Sequence, residues 1–195
     1  MEAKTVYFEK PGVANTEMTL ALARQRAGEL GITTIVVAST SGMTAVKAMN
    51  ALKGLRVVVV THCAGFLEPD TQEFTEENRK IVESQGGMLL TTAHAFGGLS
   101  RACRQNEIPQ ARTTYVVGDL IASTLKVFSQ GTKVACEIAV MAADAGLVRT
   151  DEEVIAIAGT GGEGRGADTA LVIQPANAHH FFDLRVKEII CKPRL

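Results

Sequence analysis

Residues Leu55 to Thr61 read LRVVVVT, an unbroken apolar run dominated by β-branched side chains. A strand with no polar alternation has no face to offer water, so it belongs in a parallel sheet covered by helices on both sides. A second run, Ile32 to Ala38, precedes it. Between the two, Ala45, Ala48, Met49 and Leu52 recur at three- and four-residue spacing, which predicts a helix that ends near Lys53 and is closed by Gly54. Strand, helix, strand in this rhythm predicts a doubly wound α/β sheet. Ligands of such sheets sit at the carboxyl ends of the strands, where the chain turns into a helix.

The rest of the chain extends the pattern without an internal repeat, linker or low-complexity tract, so residues 1–195 read as a single domain. Thr5 to Glu9 is a short β candidate broken by Pro11-Gly12. A helix is expected from an N-cap at Asn15 or Thr16 to Leu30, with Met18, Leu22, Ala23, Ala27 and Leu30 inward and Gly31 as its stop. Further helices are expected at Thr75 to Gln85, Leu99 to Asn106, Thr113 to Phe128 and Thr132 to Ala145, with Pro109 interrupting. Strands are expected at Met88 to Thr92, Glu153 to Ala158, Thr169 to Gln174 and Arg185 to Cys191.

Composition narrows the partners. Twenty Lys and Arg against 21 Asp and Glu leave no basic footprint for nucleic acid and argue against an extensive anionic membrane surface. No apolar run approaches the roughly 20 residues of a spanning helix, and MEAKTVYFEK has no signal-peptide pattern. Cys63, Cys103, Cys136 and Cys191 form no CxxC pair, so a reduced, cytoplasmic setting is the default and small core roles are expected. The adjacent His179-His180 have poor metal-ligand spacing, and no metal is assigned.

The turn after the first apolar run, VASTSGMT, carries the chemistry. Helix starts leave backbone N–H groups without partners at the positive end of the macrodipole. Ser39, Thr40, Ser41 and Thr44 add hydroxyls, and Gly42 lets the backbone come close, a combination suited to phosphate. Hydrogen bonds to a charged group are worth about 1.5–3 kcal/mol each. Four or five of them underwrite micromolar affinity, about 8 kcal/mol, after association costs. The alternative is an ordinary Ser/Thr helix cap. His62 follows Thr61 at the end of one strand and His94 follows another, which makes both candidate ligand contacts at the same sheet edge. The alternative is that each hydrogen-bonds a loop backbone.

Gly159-Thr160-Gly161-Gly162-Glu163-Gly164 satisfies G-x-G-x-x-G, yet a dinucleotide fingerprint needs its glycines to open a helix. Here Ala167 to Ile173 form a strand pattern, so the loop joins two strands. Its glycines can still present amides to an anion, with Arg165 as a charged fork, or they form a ligand-free hairpin.

The turn VASTSGMTA, the passage GTKVACEIAVMAADAGLVRTDEEVIAIAGTGG and the strand TALVI together resemble the carboxy-terminal α/β domain of pyruvate kinase, over most of Thr16 to Ile173. The stretch Ala64 to Gln110 matches poorly and reads as an inserted helical region. The resemblance implies a three-layer α/β/α domain with a mostly parallel sheet whose last strand is antiparallel. It implies that Ser39, Thr40, Ser41, Gly42 and Thr44 grip a phosphate and that Gly159 to Gly166 close over the ligand. Two departures bear on this. Met43 stands where a basic residue is common, and the loop lacks the aromatic and most of the basic side chains that hold a second phosphate.

Pyruvate kinase chemistry resides in a separate barrel of some two hundred residues, for which 195 residues leave no room. The resemblance therefore implies a binder of a phosphorylated small molecule, with a mononucleotide such as FMN as occupant. Its phosphate would sit on the turn and its flavin near His62 and His94, with Met43 against the ring. It also implies a homodimer. Two other classes stay open: a flavin-dependent oxidoreductase or lyase using a histidine as acid–base, and an interaction module with a vestigial phosphate site, docking through Phe96 to Gln110.

Overall fold

The two apolar runs pair side by side at the centre of one sheet. The computed structural model describes residues 2–105, 116–162 and 165–194. Its strands are β1 (Val6–Phe8), β2 (Thr34–Ala38), β3 (Arg56–Val60), β4 (Met88–Leu90), β5 (Val154–Ala158), β6 (Thr169–Gln174) and β7 (Arg185–Pro193). They lie in the order β1-β7-β6-β5-β2-β3-β4. Strands β5, β2, β3 and β4 are mutually parallel, while β6 runs against both of its neighbours. The antiparallel strand is thus not at the edge, because β7 and then β1 extend the sheet beyond it.

Alternation along the central strands divides their side chains between two cores. Ile35, Val37, Val57, Val59, Ile155 and Ile157 meet α1 (Thr16–Leu30), α2 (Met43–Ala51) and α3 (Glu76–Ser84) on one face. Val36, Val58, Val60, Ala156 and Leu171 meet α5 (Val117–Lys126) and α6 (Gln130–Asp144) on the other. A strand period of two sends neighbours to opposite faces, and here both faces are apolar, which is why Ile35 to Ala38 and Val57 to Val60 contain no polar residue. The result is a three-layer α/β/α domain. Helix α6 lies against the sheet with Ala135, Ala139 and Ala142 fully buried, and their small side chains let its backbone come close to β5 and β6.

Several local expectations change. Met18 is 55% exposed, and the inward stripe of α1 is instead Thr19, Leu20, Ala23 and Ala27. Asn15 does not cap α1: its side-chain amide donates to the Lys10 carbonyl, and the Thr16 hydroxyl accepts from the Ala167 amide across the domain. Helix α2 begins at Met43, two residues before Ala45. In the region 64–110, α3 and β4 continue the strand–helix rhythm and α4 (Gly98–Gln105) follows them. Asn106, Pro109 and Thr113 lie outside the described residues. Residues 178–183 form 3-10 turns that place Phe181 against the second core. Cys136 and Cys191 are core residues and Cys63 is half-buried. Among the described residues no helix is long and apolar enough to cross a membrane.

Candidate functional site

The strand order runs outward from β2 to β3 to β4, and the chain then returns through α4, α5 and α6 to β5 on the other side of β2. Loops leaving two such adjacent strands diverge and open a crevice at the carboxyl edge of the sheet. A cavity of about 400 Å³ occupies that position. Ser39, Thr40 and Thr44 line it from the β2–α2 turn, Thr61, His62 and Phe66 from the segment after β3, His94 and Gly97 from the segment after β4, and Gly159 to Gly162 from the glycine loop. Arg101, Lys126, Lys133 and Glu137 form the opposite wall. Sequence-predicted residues on four separate loops thus converge.

Three predicted residues stand aside from the cavity. Met43 is 60% exposed and does not line it. Ser41 and Gly42 pack toward α3, where the Ser41 carbonyl accepts from the Thr75 amide and from Asn78 Nδ2 at 3.0 Å. Gly42 has φ 100°, and a Cβ there would stand 2.4 Å from that of Asn78, so the turn demands glycine on two counts.

The hydroxyls of the turn are divided in their work. Ser39 Oγ accepts from the Ala45 amide at 3.2 Å and so fastens the start of α2. Thr61 Oγ1 lies 2.7 Å from Thr91 Oγ1 and ties the ends of β3 and β4 together. Among the described residues, the amides of Thr40 through Thr44 meet no protein acceptor. That leaves a run of donors at the positive end of a helix.

His62 is bonded through both ring nitrogens. Nδ1 is 2.5 Å from Glu73 Oε2, and Nε2 is 3.4 Å from Thr40 Oγ1. Arg165, from the glycine loop, donates to the other oxygen of Glu73 at 2.8 Å. Burial works against ionisation of Glu73, but Arg165 and His62 prevail and hold its carboxyl below the usual range. An ionised carboxylate can only accept, so Nδ1 donates to Glu73, and in the neutral ring Nε2 presents its lone pair to Thr40. His62, Phe66 and His94 form an aromatic cluster with ring centroids 3.9 to 5.3 Å apart, and the Arg101 guanidinium lies 4.1 Å over the Phe66 ring. Burial, assisted by the positive charges of His62, Lys133 and Arg101 and opposed by Glu137, pushes the pKa of His94 down, which favours its neutral form.

Four positions at the candidate site escaped sequence reasoning: Phe66, Glu73, Glu137 and Asp168. Glu137, 4% exposed on α6, accepts from the amides of Phe96 and Gly97 and pairs with Lys133, so it holds the segment after β4 in place. Asp168 is fully buried and accepts from the amide and hydroxyl of Thr160 and from the Gly12 amide. The Thr160 hydroxyl is therefore directed into the protein. At Gly159 a Cβ would meet the Gly166 carbonyl oxygen at 1.8 Å, so the loop closes on itself through glycine. No pattern in the sequence links Glu137 to the amides of Phe96 and Gly97, Glu73 to Arg165 or Asp168 to Gly12, which lie 40 or more positions away along the chain.

A three-layer α/β/α domain with a helix N-terminus, a glycine loop and several cations around a switch-point cavity defines a class: α/β domains with a cavity at the carboxyl edge of a mostly parallel sheet. Residues 17–173 match the family described as pyruvate kinase, alpha/beta domain. The chain belongs to that family.

Proposed function

We propose that this chain binds a phosphorylated small molecule, a mononucleotide such as FMN, with its phosphate at the turn 39–44 and its ring against His62, Phe66 and His94. The observation that carries this reading is a run of amides from Thr40 to Thr44 without protein acceptors, bracketed by Thr40 and Thr44, which line a cavity of about 400 Å³. That volume lies within the range of roughly 300–1,000 Å³ usual for small-molecule sites. Arg101, Lys126, Lys133 and Arg165 on the lining favour an anion, and the aromatic cluster offers a planar ring something to stack on.

The test is calorimetric titration of the full chain with FMN, alongside the Thr44→Asp variant. Thr44 lines the cavity from the first turn of α2, where an acidic side chain suits the helix dipole, so the variant keeps its fold while repelling phosphate. Micromolar binding by the parent and a loss of tenfold or more in the variant, about 1.4 kcal/mol, is the expected result. Equal binding by both chains would remove the turn from the site.

A further inference from the structure

We propose that Thr40, His62 and Glu73 act as nucleophile, general base and orienting carboxylate in the hydrolysis of a phosphomonoester seated on the 39–44 turn. The proposal rests on the phosphate-binding reading above and adds a reaction to it. Hydroxyl chemistry of this kind needs three parts: a hydroxyl within reach of a base, a base held in one tautomer by a third group, and donors where negative charge develops. All three meet here.

Thr40 Oγ1 stands 3.4 Å from His62 Nε2, a separation that such pairs show before substrate draws them together. Glu73 fixes the imidazole through Nδ1 and is itself anchored by Arg165, so the ring is oriented by a carboxylate that is oriented in turn. The amides of Thr40 to Thr44 lie beside the hydroxyl and supply donors for phosphoryl oxygens. A hydrogen-bonded loop of purely structural purpose would not need to bring these groups to the wall of a cavity, yet Thr40 and His62 both line it.

The reaction balances with water as the only co-reactant. Thr40 Oγ attacks phosphorus as its proton passes to His62 Nε2, and the bond from phosphorus to the substrate's ester oxygen breaks. The alkoxide departs on the far side of phosphorus and takes a proton from water, and the imidazolium, stabilised by Glu73, releases its proton to the hydroxide so formed, which restores the neutral base. Water then attacks the threonyl phosphate, giving its proton to Nε2. The Thr40 oxygen–phosphorus bond breaks, the proton goes back to Oγ, and inorganic phosphate leaves. Glu73 touches no reacting atom and is a positioning residue.

The experiment uses the full chain with p-nitrophenyl phosphate as probe, together with calorimetric titration by inorganic phosphate. Expected are steady release of p-nitrophenol and, after an acid quench, a phosphoryl adduct on the peptide that carries Thr40. Thr40→Val, which conserves shape, loses turnover and adduct but still binds inorganic phosphate. Glu73→Gln lowers kcat by about tenfold, less than the roughly 10²–10⁴-fold that the positioned base itself contributes, with KM little changed. Glu73→Asp restores part of that loss, a rescue that a merely structural role would not produce. Turnover by Thr40→Val equal to the parent's overturns the proposal. So does a parent chain that binds phosphate without turning over the ester, and that outcome leaves the binding reading standing. A parent chain that neither binds nor turns over sinks both.

Discussion

Asp168 illustrates how one buried side chain can hold a loop that the sequence leaves undetermined. Its Oδ2 accepts from the Gly12 amide at 3.1 Å and from the Thr160 amide and hydroxyl at 3.1 and 2.7 Å, and its Oδ1 accepts from the Thr169 hydroxyl at 2.9 Å. The glycine loop is thus tied at its entry to the first residues of β6 and to the segment after β1. Asp168→Ala leaves these donors without an acceptor in a buried place, where a single unsatisfied group costs about 1–3 kcal/mol. The variant should lose roughly 3 kcal/mol of unfolding free energy in a denaturant titration and should be cleaved sooner by protease within residues 159–166. Unchanged stability would mean that the loop is held by its glycines alone.

At the scale of the element, the turn into α2 joins conformation to packing. Gly42 holds a left-handed φ and also presses its Cα against Asn78 of α3, whose amide nitrogen binds the Ser41 carbonyl. Gly42→Ala therefore meets two penalties, one in the backbone and one in the contact. The substitution should cost more than about 1 kcal/mol, the scale at which alanine at positive φ departs from glycine. Adding Asn78→Gly, which removes the Cβ that the new side chain would strike, should recover the steric part only, so the double-mutant cycle should show coupling without full restoration. Full restoration would assign the whole cost to the clash.

Elements of this kind were largely legible in the sequence. β2, β3, β5 and β6 announce themselves because burial on both faces leaves their centres apolar, and the glycine at 31 stops α1 where a left-handed C-cap stands. Met18 misled because a three- and four-residue stripe does not say which of two adjacent stripes faces the sheet. Thr16 and Thr19 occupy the inner stripe of α1 as buried polar residues whose hydroxyls bond the backbone near Ala167. The candidate site was legible where it is local, as in the turn at 39–44. It was illegible where it depends on approach between distant segments, as with Glu73 and Arg165, 92 residues apart.

The whole molecule depends on a segment beyond the family match. That match ends at residue 173, within β6, yet β6 is buried along its first five residues and pairs with β7 over its length. Arg26 of α1 reaches Glu188 of β7 through two hydrogen bonds of 2.7 and 2.6 Å, and the guanidinium holds that carboxyl below the usual carboxylate range. A depressed carboxylate contributes stability that is complete above its unfolded value, about 4.3, and is lost as pH falls through the folded value. The thermal stability of the parent should therefore fall as pH drops below about 4.3, and Glu188→Gln should flatten this part of the profile.

The larger consequence concerns β7 itself. A chain ending at residue 174 loses Ile190 and Cys191 from the first core and leaves β6 with a row of unpaired backbone groups, an edge that invites association between chains. It also deprives β1 of its partner strand. That truncation should abolish a cooperative thermal transition or drive aggregation, as followed by calorimetry and light scattering. Removal of residues 1–9 should be far milder, because β1 contributes three residues at the sheet edge, each only part-buried or exposed. Each kcal/mol lost there lowers the midpoint by about 2–4 °C in a chain of this size. If the chain ending at 174 melts cooperatively at the parent's temperature, β7 is an ornament on the sheet, and the family's core stands without it.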